Sequence, residues 1–401
     1  MGPRWFRLLI IPLSLSFLFL LAGCQAVSPR SAVSATPTPA PSPASFKQPK
    51  FLFAAGEGGS TGIYQVFTVN AATGELRPLG PNAFDEGVPK EIQYDAGSSS
   101  LFVSVGESEL MNVPGLHTFH FDPVAGILTS TGSIDSLGDW SSAATSDGKA
   151  LYVNGFQHLS RYLIDKNSGA LIPTSSSYAT DSLGQWMLKM HPSGKFLYGN
   201  GLFPLNPPGP NGSNAIYHLI GFVIDPSTGA PVPIAGFPRQ EAMNGGITIH
   251  PSGNFIIAAG ANLIYSYQLD QTSGAAQLAG SATFDGRNFP GLVPVVEPGG
   301  RYVYLCCAHD QLFAFRFDSS NGQLAALPSF PMNVTPPDPD PETPIAVSGS
   351  YLFLGQGKSL TPDIPSIAVF KIQDDGSLTP VPGSPFKSSF GVVKALAVAE
   401  E

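Results

Sequence analysis

Phe67-Thr68-Val69-Asn70-Ala71-Ala72-Thr73-Gly74-Glu75-Leu76 contains an alternating apolar strand, a polar turn that begins at Asn70, and a glycine close to a leucine. An Asp or Asn at the end of a strand, followed by a turn glycine, is typical of a tight hairpin because glycine readily adopts positive φ. The pattern occurs six more times, with 43 to 60 residues between successive glycines. The further copies span residues 119–128, 162–169, 222–229, 267–274, 315–322 and 369–376. This period accommodates about four short strands per copy.

A second hairpin pattern lies between successive copies of the first. Its clearest examples are His191-Pro192-Ser193-Gly194 and His250-Pro251-Ser252-Gly253, each leading into a strand that contains Phe. Looser versions occur at 94–103, 145–152 and 297–304. Each unit therefore contains four antiparallel strands with both hairpins on one side, and we expect the two histidines to be structural. A single four-stranded sheet cannot cover both of its faces, so the units must pack against each other.

These repeats predict an all-β fold, namely a seven-bladed β-propeller of four-stranded antiparallel blades. The two ends of the chain indicate how the ring closes. The first unit starts at its second strand, 51–54, whereas the segment 392–398 is a strand left over after the seventh unit. We expect this C-terminal strand to join the first blade.

The composition supports one all-β domain. The chain has 44 Gly and 39 Pro but only 12% charged residues, which favours short strands and turns over long amphipathic helices. The net charge of −9, without a basic cluster beyond residue 10, excludes nucleic acid as a partner, because phosphate binding needs a basic face. We expect a monomer without a cofactor.

The first 23 residues predict a signal peptide. Arg4 and Arg7 precede the apolar run 8–21, and Leu21-Ala22-Gly23-Cys24 ends the run with small residues before a cysteine. This end resembles the lipobox of bacterial lipoproteins, which implies that Cys24 is lipidated and begins the mature chain. Gln25 then implies an outer-membrane anchor if the cell has two membranes. An ordinary signal peptide or a single membrane anchor is the alternative, although the run is short for a spanning helix.

Residues 24–48 predict a lipid-anchored linker, because they consist mostly of Pro, Ser, Ala and Thr and cannot bury a core. The predicted organisation is therefore a signal peptide at 1–23, the linker at 24–48 and the propeller at 49–401. We expect the folded part to lie in the cell envelope, attached to a membrane through Cys24.

The two repeated patterns over residues 50–399 resemble the lactonase-like seven-bladed β-propellers, which are related to bacterial 6-phosphogluconolactonase. This resemblance implies the fold and, as an expectation, hydrolysis of a sugar lactone or related ester in the central funnel. In that family the inner strands begin with Gly-Pro-His-type segments, which place His, Arg and Glu near the axis. The corresponding segments here, at 88–91, 140–142, 186–188, 245–247 and 344–345, contain no His. This departure favours a binding protein, whose ligand is a carbohydrate, a lactone or a protein, over a hydrolase.

Candidate binding residues lie in the connections on the side opposite the hairpins, where loop length varies. The segments 135–140 and 181–186 read Asp-Ser-Leu-Gly-Asp-Trp and Asp-Ser-Leu-Gly-Gln-Trp. They place Asp139 and Trp140 at the same position as Gln185 and Trp186 on the neighbouring blade. Two indoles there could form a flat surface for stacking a sugar ring. Packing of both indoles between blades is the alternative.

Further polar residues are predicted near the same mouth: Glu86, Lys90, Glu91, Asn244, Arg287 and Glu342. A carboxylate beside a Lys or Arg could bind or polarise an ester carbonyl. Solvated loop residues are the alternative, and no catalytic residue is assigned. The histidine spacing predicts no metal site.

Cys306 and Cys307 are the remaining thiols of the mature chain. Neighbouring residues of a strand point to opposite faces, which favours two buried free thiols. An oxidising compartment also permits a vicinal disulfide, so both states stay open at this stage.

The predicted anchor can be tested with a Cys24→Ala variant of the full-length chain, expressed in a Gram-negative host. We expect the unmodified chain to enter the detergent phase with a lipidated Cys24, and the variant to lose this modification because it lacks the acceptor thiol. Phase partitioning and intact mass spectrometry measure both properties. A mature chain that starts elsewhere, or an unmodified Cys24, would contradict the prediction.

Overall fold

β-Strands and tight turns build the folded part of the chain. The computed structural model describes residues 46–57, 62–83, 88–106, 115–135, 141–155, 158–179, 184–204, 215–239, 241, 243, 245–285, 292–308, 311–334, 344–355, 365–389 and 392–400. These ranges contain thirty strands and no helix, so none of the described segments is a helix of the length and apolarity that crossing a membrane requires. All of them belong to one compact unit, Pro41–Glu401.

The strands form seven antiparallel sheets, one for each predicted blade. Blade 1 contains β1 (Pro49–Glu57), β2 (Gly62–Val69) and β3 (Leu76–Ala83). Blade 2 contains β4 (Val88–Asp95), β5 (Ser100–Gly106), β6 (Gly115–Asp122) and β7 (Ile127–Asp135). Blade 3 contains β8 (Ser141–Ala144), β9 (Ala150–Gly155), β10 (His158–Ile164) and β11 (Leu171–Ala179). Blade 4 contains β12 (Gly184–Met190), β13 (Phe196–Pro204), β14 (Ala215–Ile224) and β15 (Pro231–Pro233).

The last three blades follow the same order. Blade 5 contains β16 (Ile247–Ile249), β17 (Phe255–Ala259), β18 (Leu263–Leu269) and β19 (Ala276–Thr283). Blade 6 contains β20 (Val293–Val296), β21 (Tyr302–Ala308), β22 (Gln311–Asp318), β23 (Gln323–Ala326) and β24 (Met332–Asn333). Blade 7 contains β25 (Ile345–Ser348), β26 (Tyr351–Gly355), β27 (Pro365–Ile372), β28 (Leu378–Pro380) and β29 (Phe386–Lys387). The final strand is β30 (Val392–Glu400).

The C-terminal strand closes the ring. β30 pairs antiparallel with β1, with Leu52 opposite Val398 and Ala54 opposite Leu396, and thus supplies the inner strand of blade 1. The seven inner strands β30, β4, β8, β12, β16, β20 and β25 contact one another in this order, and β25 contacts β30 again. The seven-bladed fold and its closure by the C-terminal strand are therefore confirmed.

The hydrophobic core lies between the blades. One cluster joins Phe53 and Val66 of blade 1 to Val103 and Phe121 of blade 2, and all four side chains are buried. A second cluster joins Tyr198 and Leu219 of blade 4 to Ile256 of blade 5. Since each sheet is apolar on both faces, it buries them only when a neighbour stands on either side.

The repeated Asp-turn-Gly pattern has a local physical cause. The carboxylate of Asp225 accepts hydrogen bonds from the backbone N–H groups of Ser227 (2.9 Å) and Thr228 (2.8 Å), and from both of their hydroxyls. Together these hydrogen bonds lower the pKa of Asp225 to about 2. Gly229 follows with φ of +70°, which residues with a Cβ rarely adopt.

The turn glycines also connect neighbouring blades. The hydroxyls of Tyr152, Tyr198 and Tyr304 donate to the carbonyl oxygens of the turn glycines of the next blade, at 2.7, 2.8 and 2.9 Å. Each of these bonds links the second strand of one blade to the outer hairpin of the next. The repeated glycine therefore serves both the turn and the interface between blades.

The two predicted structural histidines have that role. His250 Nε2 lies 2.8 Å from the carbonyl oxygen of Gly300, and its Nδ1 lies 3.1 Å from the backbone N–H of Ser252. Because a carbonyl only accepts and an N–H only donates, the proton is assigned to Nε2 and the ring is neutral. Burial lowers the pKa of His250, which favours this neutral form. His191 makes the equivalent contact with Gly253, at 2.7 Å.

A third repeated turn was missed by the sequence analysis. Phe237-Pro238, Phe330-Pro331 and Ser384-Pro385 are cis peptide bonds that follow the short outer strands of blades 4, 6 and 7. After this turn the chain continues along the third strand of its blade, as β24 in blade 6 and β29 in blade 7. The outer strand of these blades is therefore interrupted, and this accounts for the fifth strand of blades 6 and 7.

Removing β30 should destroy the cooperative fold, because blade 1 would lose its inner strand and the ring its closure. We expect a chain without residues 392–401 to bind a hydrophobic dye and to lose its cooperative thermal transition, measured by circular dichroism. A chain that lacks only Glu401 is the control and should unfold like the full chain. If the chain without residues 392–401 showed the same thermal unfolding transition as the full chain, this role of β30 would be disproved.

Candidate ligand-binding site

Two of the predicted site residues have described side chains. Lys90 and Glu91 are neighbours in β4, the inner strand of blade 2, where Lys90 is exposed and Glu91 partly buried. Gln185 and Trp186 belong to the backbone of β12, and their side chains lie outside the described parts of the structure. The remaining predicted residues also lie outside the described ranges: Cys24, Glu86, Asp139, Trp140, Asn244, Arg287 and Glu342.

Topology divides the connections between the two ends of the propeller. Connections from the first to the second strand and from the third to the fourth strand lie at one end, which we call the hairpin face. The opposite end, where the inner strands begin at residues such as Val88, Ser141 and Gly184, is called the loop face. The segments that precede these strands lie outside the described ranges.

Three inner strands place charged and polar groups together at the axis. Glu91 Oε1 lies 3.2 Å from Lys189 Nζ, and Glu91 Oε2 accepts a hydrogen bond of 3.3 Å from the backbone N–H of Ser142. Glu91 belongs to blade 2, Lys189 to blade 4 and Ser142 to blade 3. We call Glu91, Ser142 and Lys189 the axial cluster.

Small residues in β8 make the axial cluster possible. The whole strand, Ser141–Ala144, is buried and carries no side chain larger than serine, so Lys189 of blade 4 can reach across it to Glu91 of blade 2. Ser141 Oγ also accepts a hydrogen bond of 2.9 Å from the backbone N–H of Leu188. The inner strands of blades 2, 3 and 4 are therefore joined by polar contacts as well as by packing.

The axial cluster is partly accessible. The side chain of Lys189 is 36% exposed and that of Glu91 is 15% exposed. Both residues lie on inner strands, which contact one another around the ring. An ammonium group has three N–H donors, and Glu91 takes one of them, so Lys189 retains donors for a ligand. This arrangement suits recognition of a hydroxyl, carbonyl or carboxylate oxygen.

Sequence reasoning proposed Glu91 as a site residue but proposed neither Lys189 nor Ser142. It searched the loops and the first residues of each inner strand, whereas Lys189 is the sixth residue of β12. Charged residues within the predicted inner strands were the available signal, since β8, β16, β20 and β25 contain none.

The described histidines lie away from the axis. His117 and His120 belong to β6, His158 to β10 and His218 to β14, which are all third strands. His191 and His250 belong to turns of the hairpin face. Within the described ranges no histidine lies on an inner strand, so none is available there as a general base beside Glu91.

The structure decides the state of the two cysteines. Cys306 and Cys307 form a vicinal disulfide in β21, and both are buried. This excludes a thiolate nucleophile at that position in the oxidised protein. In the described parts of the chain, no three or more His, Cys, Asp or Glu side chains gather in a way that could hold a metal ion.

Several solved structures share this fold. A protein from Bacteroides uniformis, provisionally named a 6-phosphogluconolactonase, is 17% identical with a TM-score of 0.69, covering 88% of this chain and 100% of its own. The periplasmic gluconolactonase of Pseudomonas aeruginosa is 16% identical with a TM-score of 0.65, covering 88% of this chain and 99% of its own. A Lactobacillus plantarum protein is 12% identical with a TM-score of 0.60, covering 88% of this chain and 100% of its own.

The expected resemblance to lactonase-like propellers is thus confirmed for the fold. No protein-family model matches the sequence, and no curated protein matches it. At these identities the structural likeness concerns architecture, and the chemistry must be argued from the residues of this chain.

The contact between Glu91 and Lys189 can be measured by a double-mutant cycle with Glu91→Gln and Lys189→Met. We expect a coupling of about 1 kcal/mol, because the pair is partly buried and Ser142 also holds the carboxylate. Asp147 and Lys149, an ion pair of 2.6 Å on the hairpin face with side chains 50% and 66% exposed, provide the control. Their coupling should be below about 0.5 kcal/mol because solvent screens an exposed pair. Equal coupling energies for the two ion pairs, measured by urea unfolding, would show that the axial pair is no stronger than an exposed pair.

Proposed function

We propose that this protein is an envelope-anchored β-propeller that binds a small polar molecule in the mouth of its central channel and does not turn it over. The observation that carries this proposal is the state of Glu91. Lys189 and Ser142 each contact one of its carboxylate oxygens, so Glu91 is held in place and positions Lys189. A general base would instead need an oxygen directed at the substrate.

The N–H donors of Lys189 that do not contact Glu91 indicate the class of ligand. Lys189 can bind ligand oxygens, and oxygen-rich molecules such as sugar acids, lactones and other carbohydrates present several of them. The names of two structural neighbours, the gluconolactonase of Pseudomonas aeruginosa and the provisionally named 6-phosphogluconolactonase of Bacteroides uniformis, point to the same class of molecule. D-Gluconate and D-gluconolactone are therefore the first compounds to test.

The predicted linker supports an orientation of the anchored protein. The ring of Phe46 lies against Gly299, and the side chain of Gln48 lies against Gly349, both in turns of the hairpin face. The chain thus enters the propeller on the face opposite the channel mouth. A lipid on Cys24 and an extended linker of up to about 80 Å would leave the loop face open to solutes.

Hydrolysis of a sugar lactone in the same channel is the second candidate. The names of the structural neighbours favour it, and Arg287 or Glu342 could supply groups that the axial cluster lacks. In that case Glu91 would have to exchange its contact with Lys189 for one with a water molecule, from which it takes a proton as the water attacks the lactone carbonyl carbon.

One experiment separates the two functions. The full-length protein in detergent is titrated with D-gluconate by calorimetry, and D-gluconolactone hydrolysis is followed in parallel by proton release. We expect binding that Lys189→Met weakens about tenfold, through loss of a charged donor, and no hydrolysis above the buffer rate. Lys149→Met is the matched control and should bind like the wild type, because Lys149 lies on the hairpin face.

Two outcomes would overturn the proposal. Hydrolysis that Glu91→Gln abolishes, in a variant that stays folded by circular dichroism, would establish the lactonase instead. Binding that is identical in the Lys189→Met variant and the wild type would place the ligand away from the axial cluster.

A further inference from the structure

Exposed large apolar side chains are concentrated on the hairpin side of the propeller. Within the described residues, all of them lie in the turn between the third and fourth strands of a blade, or in the strand residues close to that turn. They are Leu79, Val124, Ile127, Leu163, Ile172, Val232 and Leu278. Single apolar residues are normal on a protein surface, whereas a concentration on one side indicates an interaction surface.

Three of these side chains meet at the rim of the hairpin face, where blades 1 and 2 adjoin. Val124 lies in the turn after β6 and Ile127 begins β7, whereas Leu79 belongs to β3 of blade 1. Gly126, between Val124 and Ile127, lies against the side chain of Leu79. We call Leu79, Val124 and Ile127 the rim patch. Leu79 is 43% exposed, Ile127 52% and Val124 95%, so Val124 projects almost entirely into solvent.

The turn itself does not require an apolar residue at Val124. The backbone N–H groups of Val124 and Ala125 donate to the carboxylate of Asp122 at 2.8 and 3.0 Å, and the same pair of contacts forms the turn at Asp225. The side chain takes no part in these hydrogen bonds. In the turns of blades 1, 3, 4, 5 and 6 the equivalent residue is small or polar: Ala72, Asn167, Ser227, Thr272 and Ser320.

Ile127 departs from the repeat in the same way. The residue that follows the turn glycine in the other blades is again small, polar or charged: Glu75, Ala170, Ala230, Ala275, Gln323 and Ser377. One hairpin of blade 2 therefore exposes two large apolar side chains at positions where the fold accepts residues that prefer water.

The described chain starts on the same face of the propeller. Phe46 lies against the hairpin turn at Gly299, so the predicted linker leaves from the hairpin face. A linker of its length spans about 25 Å when flexible and up to about 80 Å when extended. A lipid on Cys24 would thus keep the hairpin face close to a bilayer, and such tethering makes even a weak second contact effective.

The chemistry of the rim patch suits a lipid surface. None of its three side chains can form a hydrogen bond, and apolar side chains gain free energy when they leave water for the boundary between headgroups and acyl chains. The backbone N–H groups of Ala125 and Val124 lower the pKa of Asp122, so its carboxylate stays ionised at the base of the turn. A negative charge beside the patch fits zwitterionic lipids, whose ammonium groups attract it.

We propose that the rim patch contacts the lipid bilayer that holds the anchor, with the side chain of Val124 among the lipid headgroups. This inference rests on the anchored state in the proposed function, and it adds the part of the propeller that faces the membrane.

The test uses the full-length lipidated protein in vesicles of phosphatidylcholine and phosphatidylethanolamine. Val124→Cys is labelled with the fluorescent dye NBD, because lipidation and the disulfide of Cys306 with Cys307 leave no other free thiol. Lipids with a nitroxide below the headgroup serve as quencher. We expect at least twofold quenching at position 124. The same label on Thr283→Cys, at the exposed loop-face end of β19, should keep its emission.

A second substitution in the labelled protein tests the role of the apolar surface. Ile127→Asp should return the quenching at position 124 to the level of the control, because a carboxylate resists transfer from water into lipid. Thr129→Asp adds the same charge at an exposed position of β7 farther from the turn, and should leave the quenching unchanged. Circular dichroism verifies that both variants are folded.

Vesicle flotation separates this inference from the proposed function. Protein that floats with the vesicles but is quenched equally at positions 124 and 283 would overturn the contact and leave the anchored state intact. Protein that does not float would contradict both. An NBD emission at position 124 that changes with protein concentration in detergent, without vesicles, would assign the rim patch to a second copy of the chain and would also overturn the proposal.

Discussion

Packing of one sheet face against the next is the interaction on which this protein depends. Each blade is apolar on both faces, and its own four strands cannot cover them. Neighbouring blades cover each other's faces, and blades 1 and 2 contribute equally to one buried cluster that contains Phe53, Val66, Val103 and Phe121. A linear row of such sheets would leave two apolar faces exposed. The ring removes both ends, and the pairing of β30 with β1 holds it closed.

Hydrogen bonds between neighbouring blades add to this hydrophobic packing. The tyrosine hydroxyls that donate to turn glycines, such as Tyr304 to Gly376, tie the second strand of one blade to the outer hairpin of the next. His191 and His250 connect the turns of the hairpin face in the same way. With these contacts concentrated on one face, the hairpin face is largely structural.

The repeats make departures from the pattern informative. Where the other blades carry an uncharged residue and one blade carries a charge, the fold provides no reason for that charge. Lys189 is such a case on the inner strands, since the corresponding residues include Ala143 and Val295. It has a carboxylate partner, Glu91, and this contact reaches from blade 4 to blade 2. The arrangement holds the axis together and offers spare donors.

The sequence alone determined the architecture, because the features that build it are local and repeated. The strand that ends at Asn70 or Asp225, the turn glycine and the leftover strand at 392–398 are all visible in the chain, and the structure places each as expected. Glu91 was also proposed as a site residue from its place near the start of an inner strand. Tertiary structure alone decided its partners, since Lys189 is 98 residues away in sequence. It also decided the pairing of Cys306 with Cys307. A site formed by different blades depends on which strands the ring brings side by side. No local pattern encodes this property.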